Sequence, residues 1–289
     1  MTGSLTPELI APRYRWSRLA RKLRRHPLGL TALGIILLLI ITVSIGPLLY
    51  RRSPARTNPL NTLAPPSAQH WLGTDELGRD VLARLFAGGR VSLAVGLLAM
   101  LVGLAVGTLA GSLAGYVGGS AETIIMRLVD VFMAIPTFFL ILVIVTSFGN
   151  RPATVIITVG LGFWAQMARV IYAEVTKLRN SEFVEASRAL GNRSLSVMMR
   201  HILPQVLPQA TVLATLGIGW AILTEAALSY LGLGIQPPLA SWGNMLQNAQ
   251  AYLWRAPRLA LYPGICIATT VLMFNLLGNT LRDIFDPRS

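Results

Sequence analysis

The side chains able to do chemistry are few, and their spacing serves little of it. The three histidines, His26, His70 and His201, lie far apart with none paired at helical spacing, so a metal cage is not expected. The one cysteine, Cys266, sits in an apolar run and excludes an intramolecular disulfide and a Cys-based metal site. The hydrolase patterns HExxH and GxSxG are absent, and Ser229 has no histidine near it in sequence, which argues against an intramembrane enzyme. The phosphate-loop pattern GxxxxGK[ST] is absent too, so nucleotide must be handled elsewhere. One carboxylate, Glu225, lies well inside an apolar stretch. Such a group can couple ions in a secondary transporter, or make a structural or gating hydrogen bond. A single one is thin support for ion coupling.

The elements around these residues are set by hydropathy. Of 289 residues, 53% are hydrophobic and 13% charged, and the mean hydropathy is +0.59. The charged share is roughly half that of soluble domains. Residues 27–50, 91–121, 131–150, 152–168 and 259–281 carry no charge. A helix needs about 20 apolar residues to cross the hydrocarbon core, and lipid-facing backbone must be satisfied internally. The runs lack period-2 alternation, so they read as helices. Six spans are expected, near 28–49, 91–114, 131–148 (containing Pro136), 153–172, 211–233 and 259–281. The divisions are a basic tail, 1–27; the first span and an extracytoplasmic segment, 28–86; a five-helix domain, 87–282, with a loop at 174–207; and a terminus, 283–289. The first apolar segment exceeds a signal-peptide core and reads as a retained span.

The net charge is +13. No basic stripe is interleaved with aromatics, so nucleic acid is not an expected partner. Lipid and the positive-inside rule account for the excess. With the N-terminus inside, the inner segments hold seven basic residues in the tail, Arg127, six between Arg169 and Arg200, and Arg282 and Arg288. Those are 16 of the 25, and they place both termini in the cytoplasm; Arg51, Arg52 and Arg56 oppose the bias. In the tail, Trp16, Leu19 and Leu23 recur among the arginines as in an amphipathic interfacial helix.

Between spans one and two, Thr74 can cap an interfacial helix. Asp75 and Glu76 would occupy its first turn, with Asp75–Arg79 and Asp80–Arg84 as i,i+4 pairs. Gly103, Gly107, Gly111 and Gly115 stand four apart and let another helix approach closely, within one bundle or from a second subunit. The hydrophilic stretch 236–257 carries Trp242, Tyr252 and Trp254, which suit a wet interface. It is expected at the outer vestibule.

The segment "EFVEASRALGNRSLSVMMRHILPQVLP" (182–208) is polar between two spans. Ser181 can cap a helix with Phe183, Ala186 and Leu190 near one face. Gly191 sits where a helix end favours φ > 0. Ser194 can cap a second helix bearing Leu195, Met198, Met199 and Ile202, which Pro204 ends or kinks. The expected object is two short helices joined at a glycine, with two apolar patches.

Here the residues carry a resemblance. Glu185-Ala186-Ser187, Gly191 and Ile202-Leu203-Pro204 resemble the EAA loop of binding-protein-dependent ABC importer permeases, with Ser187 in place of the second alanine. "HWLGTDELGRDVLARLFAGGRVSL", "MRLVDVFMAIP", "EAALSYLGLGIQPPLASWGNML" and "FNLLGNTLRDIFDP" are similar to the dipeptide/oligopeptide (peptide/nickel) branch of that family, second or "C" permease. Asn279 and Thr280 depart from the commoner pattern. The resemblance implies an all-α integral membrane protein with the type I ABC importer transmembrane fold and a cytoplasmic coupling helix. It implies a bacterial or archaeal cytoplasmic membrane location. It implies a non-catalytic permease subunit that forms, with a second permease, a path for di- or oligopeptides, or for glutathione or a nickel chelate. The implied partners are that permease as a heterodimer, two ATP-binding subunits carrying ATP and Mg, and an extracytoplasmic binding protein. No cofactor is implied on this chain.

Overall fold

The structure is a computed structural model that describes residues 22, 23 and 26–285; its regular elements are helices, with no β-strand element among the described residues. The tail's expected interfacial helix, with Trp16 and Leu19, and the last four residues lie outside that range. The elements are α1 (Pro27–Leu49), α2 (Val81–Val117), α3 (Gly119–Ala134), α4 (Thr137–Phe148), α5 (Pro152–Arg179), α6 (Glu182–Ala189), α7 (Ser194–Val197), α8 (Leu203–Tyr230), α9 (Trp242–Ala249) and α10 (Arg258–Phe285).

Five helical segments are long and apolar enough to cross a membrane: α1, α2, α5, Ser194–Tyr230 and α10. The expected third span is not one straight helix. It is α3 and α4, bent by 89° at Ile135-Pro136, and counting the pair as one span gives six. Proline restricts the residue before it to extended conformations, and Ile135 is extended, at φ −90°, ψ 128°. The passes alternate in direction. One end, here the upper, carries residues 50–80 and 231–257; the lower end carries residues 180–202.

Helix α2 runs 37 residues unbroken, about 55 Å at 1.5 Å per residue. The 86/87 division therefore falls inside a helix. Its glycine stripe faces α5, which runs parallel to it. A Cβ on Gly111 would stand 2.4 Å from the Ala168 carbonyl oxygen, and one on Gly107 2.6 Å from Met167 Cβ. On Gly103 and Gly115 it would stand 3.0 Å from the carbonyls of Gly160 and Tyr172. From α5, a Cβ on Gly160 would meet the Ala99 carbonyl at 2.5 Å. Two backbones touch along four turns, so the stripe is occupied within one chain.

The main core fills the space between α2, α5 and α8 and continues to the lower end through Val175, Val184, Val197 and Ile202. A second core joins α1, α9 and α10 at the upper end, around Ile36, Trp242, Leu259 and Phe274. Near that end Pro47 lies inside α1. Proline has no N–H to give the Val43 carbonyl; Arg90 supplies one, its Nε donating at 2.7 Å.

The segment before α2 departs from expectation. Thr74 caps no helix; it forms an antiparallel bridge with Asp80, and α2 starts only at Val81, where Asp80 accepts the Ala83 N–H at 2.9 Å. Gly73 (φ 79°) and Gly78 (φ 71°) break the run, and a Cβ on Gly78 would stand 1.9 Å from the Asn58 carbonyl. Asp75 does pair with Arg79, at 2.7 Å. Asp80–Arg84 is not an ion pair: Arg84 lies 3.3 Å from Asp75, and Asp80 Oδ2 accepts from the Tyr50 hydroxyl at 2.7 Å and lies 2.8 Å from His70 Nδ1.

Candidate functional site: the lower-end loop and the Glu225 clasp

The lower-end loop is a short hook, anchored on one face. Ser181 is the residue before α6, but its side chain makes no capping hydrogen bond; its hydroxyl donates to the Leu178 carbonyl instead. Helix α6 closes in a Schellman arrangement. Gly191 at φ 80° donates its N–H to the Arg188 carbonyl at 2.9 Å, and Asn192 donates to the Ser187 carbonyl at 3.3 Å. This pair of bonds satisfies carbonyls that a helix end leaves open. The Asn192 amide also donates to the Ser187 hydroxyl at 3.1 Å. The serine that replaces the expected alanine thus adds a tie across the turn.

The second half differs from a free-standing helix. The residue before it is Arg193, with Ser194 its first residue. From α7 the chain passes through a π-turn at Met198–Ile202, closed by the Leu203 N–H bonding to the Met198 carbonyl, straight into α8. Pro204 therefore neither ends the helix nor stands after it. In a straight α-helix its ring would meet the Arg200 carbonyl four residues back; the wider turn relieves that contact.

Two faces of the hook are distinct. Val184, Ser187, Val197 and Ile202 are buried, and Arg188 sits over the Tyr116 ring at 5.3 Å, tying α6 to the end of α2. Phe183, Leu190, Leu195 and Met199 point outward, Leu190 at 82% and Leu195 at 67% exposure. Glu185, Ala186 and Gly191 are exposed beside them, while Leu203 and Pro204 are half-buried. Spacing alone found Phe183 and Leu190; the anchoring valines, and Tyr116 some seventy residues away, gave no local signal.

Glu225 lies at the other end of the same core, fully buried. Ser92 on α2 donates to Oε2 at 2.9 Å, and Ser229 donates to Oε1 at 2.7 Å. Each serine oxygen in turn accepts a backbone N–H from the upper segment: Trp242 to Ser92 at 3.2 Å, and Ile235 to Ser229 at 2.9 Å. The carboxyl therefore clasps α2, α8 and the 231–249 segment together. Asn244 completes a capping box with Ser241, and its amide donates to the Ile235 and Leu239 carbonyls at 3.1 and 2.9 Å. Trp242 is not at a wet interface: it is buried, with its indole N–H donating to the Leu85 carbonyl at 3.1 Å. Trp254 is fully exposed. The i,i+4 spacing of Glu225 and Ser229 was visible in the sequence; Ser92 was not.

A six-pass helical bundle with an anchored hook at one end and no nucleotide loop of its own has close relatives. Residues 107–289 match the family described as the binding-protein-dependent transport system inner membrane component. Residues 15–66 match the N-terminal transmembrane domain of oligopeptide transport permease C. The chain is 39% identical over 94% of its length to the dipeptide transport system permease DppC of Alkalihalophilus pseudofirmus, covering 90% of that protein. It is 39% identical over 94% to the glutathione transport system permease GsiD of Escherichia coli, again covering 90%. A chain of the inward-facing MetNI methionine ABC transporter superposes with a TM-score of 0.57 at 17% identity, covering 69% of this chain and 95% of that one; this likeness concerns the fold.

The chain belongs to the inner-membrane permease family of binding-protein-dependent ABC importers. It is a multi-pass membrane permease of the branch that holds the dipeptide, oligopeptide and glutathione permeases.

Proposed function

We propose that this chain forms, with a second and dissimilar permease, a path for di- or oligopeptides handed over by an extracytoplasmic binding protein. Two ATP-binding subunits hold ATP and Mg, and the hook from Glu182 to Pro204 couples them to the bundle. The lower end is then cytoplasmic. The observation that carries the coupling role is the hook's two-sidedness: one face is rooted in the core through Val184, Val197 and Ile202, while Phe183, Leu190, Leu195 and Met199 face outward. A rooted, rigid element transmits a partner's movement as rotation of α5 and α8, where a slack loop would absorb it. Peptide cargo is supported by the named relatives; glutathione, itself a tripeptide, is the second reading, supported at equal identity. Glu225 acts in this scheme as a clasp, because its hydrogen-bond partners are serine hydroxyls and no cation pairs with it among the described residues.

The complex purified from membranes tests the coupling role. Leu190→Asp with Leu195→Asp alters only exposed side chains, so bundle and membrane abundance should be unchanged while the ATP-binding subunits are lost. Glu185→Ala should weaken their retention more mildly. Retained subunits with full uptake in the double variant would remove the coupling assignment. Orientation is tested by single cysteines in a Cys266→Ala background: positions 58 and 247 should react with an impermeant thiol reagent in intact cells, and position 192 should not.

A further inference from the structure

Three arginines follow the first span against the charge bias, and the structure gives them no internal task. The next three arginines in the chain are engaged. Arg79 and Arg84 are tied to Asp75, and Arg90 completes α1. Arg51, Arg52 and Arg56 are exposed and make no ion pair among the described residues. Arg51 reaches only the Leu48 carbonyl, at 3.4 Å. All three line a cleft of about 850 Å³. Its one lining carboxylate, Asp80, is buried and already engaged by Tyr50, His70 and the Ala83 N–H, so the lumen is cationic.

A second hollow abuts this cleft. It is a groove of about 390 Å³ on the flank of the α1–α2 pair, lined by Ile41, Ile45, Gly46, Leu82 and Phe86. Leu49 and Tyr50 line both cavities. Between them the Tyr50 ring rests on Trp71, with centroids 5.2 Å apart, and Trp71 is 63% exposed. Along the axis of α1, the surface thus runs from apolar groove, to aromatic pair, to arginine-lined cleft. That sequence of polarities is the profile of one leaflet: acyl chain, interface, headgroup. A peptide or an acidic protein surface would match the cleft and leave the groove bare; a partner helix would match the groove and leave the arginines unpaired.

We propose that the groove and cleft together form a binding site for one anionic glycerophospholipid, with an acyl chain along Ile41, Ile45 and Phe86 and its phosphate held by Arg51, Arg52 and Arg56. Guanidinium groups suit this task because their fixed fork donates two parallel hydrogen bonds to a phosphate. The cluster then has a reason to stand at this end of the span. It recognises headgroup charge, and the aromatic pair sets its depth.

Trp71 supplies the probe. The purified complex, in mixed micelles, is titrated with brominated phosphatidylglycerol or brominated phosphatidylcholine, and the quenching that disappears in Trp71→Phe is taken as the site's signal. Each basic residue near an anionic headgroup is worth about fivefold in association, less when screened, so a preference for phosphatidylglycerol of about tenfold or more is expected. Arg51→Gln/Arg52→Gln/Arg56→Gln should bring the preference to within about twofold of unity, while the triple lysine variant should keep most of it. Excess glycerol phosphate, which lacks the chain, should not displace the lipid. The proposal is overturned by equal quenching from the two lipids in the wild type. It is overturned equally by displacement with glycerol phosphate, which would make this a plain anion cleft, or by no Trp71 component at all, which would mean that a protein subunit covers the face.

Discussion

Gly191 offers a clean perturbation, because space and backbone can be separated there. Its φ is 80°, and a Cβ would meet no atom within 4 Å. A side chain therefore causes no clash, and the cost is conformational only. For ordinary L-residues the left-handed region costs about 1–2 kcal/mol, asparagine tolerates it best and β-branched residues worst. Gly191→Asn, Gly191→Ala and Gly191→Val should form a ladder of rising cost. A penalty of 1–2 kcal/mol shifts the balance between the built hook and a rearranged one by roughly 5- to 30-fold. Rearrangement gives up the Gly191–Arg188 and Asn192–Ser187 bonds and swings Leu190 relative to Leu195. The assay is ATP hydrolysis stimulated by liganded binding protein, with uptake, in reconstituted complexes. Stimulation should fall along the ladder while membrane abundance stays level, since no apolar run is altered. If valine behaves as glycine does, the turn's geometry is irrelevant to coupling. If asparagine is as damaging as valine, the cause is side-chain bulk and the backbone reasoning fails.

Gly111→Ala should destabilise the bundle by about 1–3 kcal/mol through overpacking against the Ala168 carbonyl, seen as a lower melting temperature in detergent; Gly264→Ala, with nothing within 4 Å, should be neutral or stabilising. Glu225→Ala leaves the Ser92 and Ser229 hydroxyls without their acceptor, which should cost about 2–6 kcal/mol, with Glu225→Gln milder; an unchanged melting temperature would refute the clasp. The Tyr50 phenol is pushed up to about 12, first by burial and then by its hydrogen bond to Asp80. Its contribution to stability should therefore be complete below pH 10 and lost as pH rises through about 12. Tyr50→Phe should remove that part of the alkaline decline in stability, which parallel unfolding curves at pH 9 and pH 12 would reveal.

What the sequence made legible is what depends on near neighbours. Apolar runs located the spans, the four-residue glycine spacing marked a close contact, and Gly191 announced its own backbone. The failures have particular causes. Asp75 and Glu76 after Thr74 imitate a helix start, but Gly73 and Gly78 hold left-handed angles, and the competing cap at Asp80 prevails. The third span looked short because α3 carries Glu122, Arg127 and Asp130, and its break at Pro136 is a bend of 89°. The partners of Arg84, Glu225 and Val184 lie across the fold, where no spacing rule reaches. Trp242 read as an interfacial aromatic because composition cannot say which tryptophan in a hydrophilic stretch turns inward.

The seam between α2 and α5 has a consequence for how this chain can change over generations. Any base change that replaces a glycine adds at least one carbon to its side chain. At Gly107 and Gly111 that carbon would lie within 2.7 Å of Met167 or the Ala168 carbonyl. Leu101 and Leu109 on the same helix, which look outward, can exchange among apolar residues at little cost. One helix thus carries a nearly frozen edge beside a freely drifting one. The register that holds the bundle together is thus fixed by the glycine edge alone and is indifferent to exchanges on the outward one.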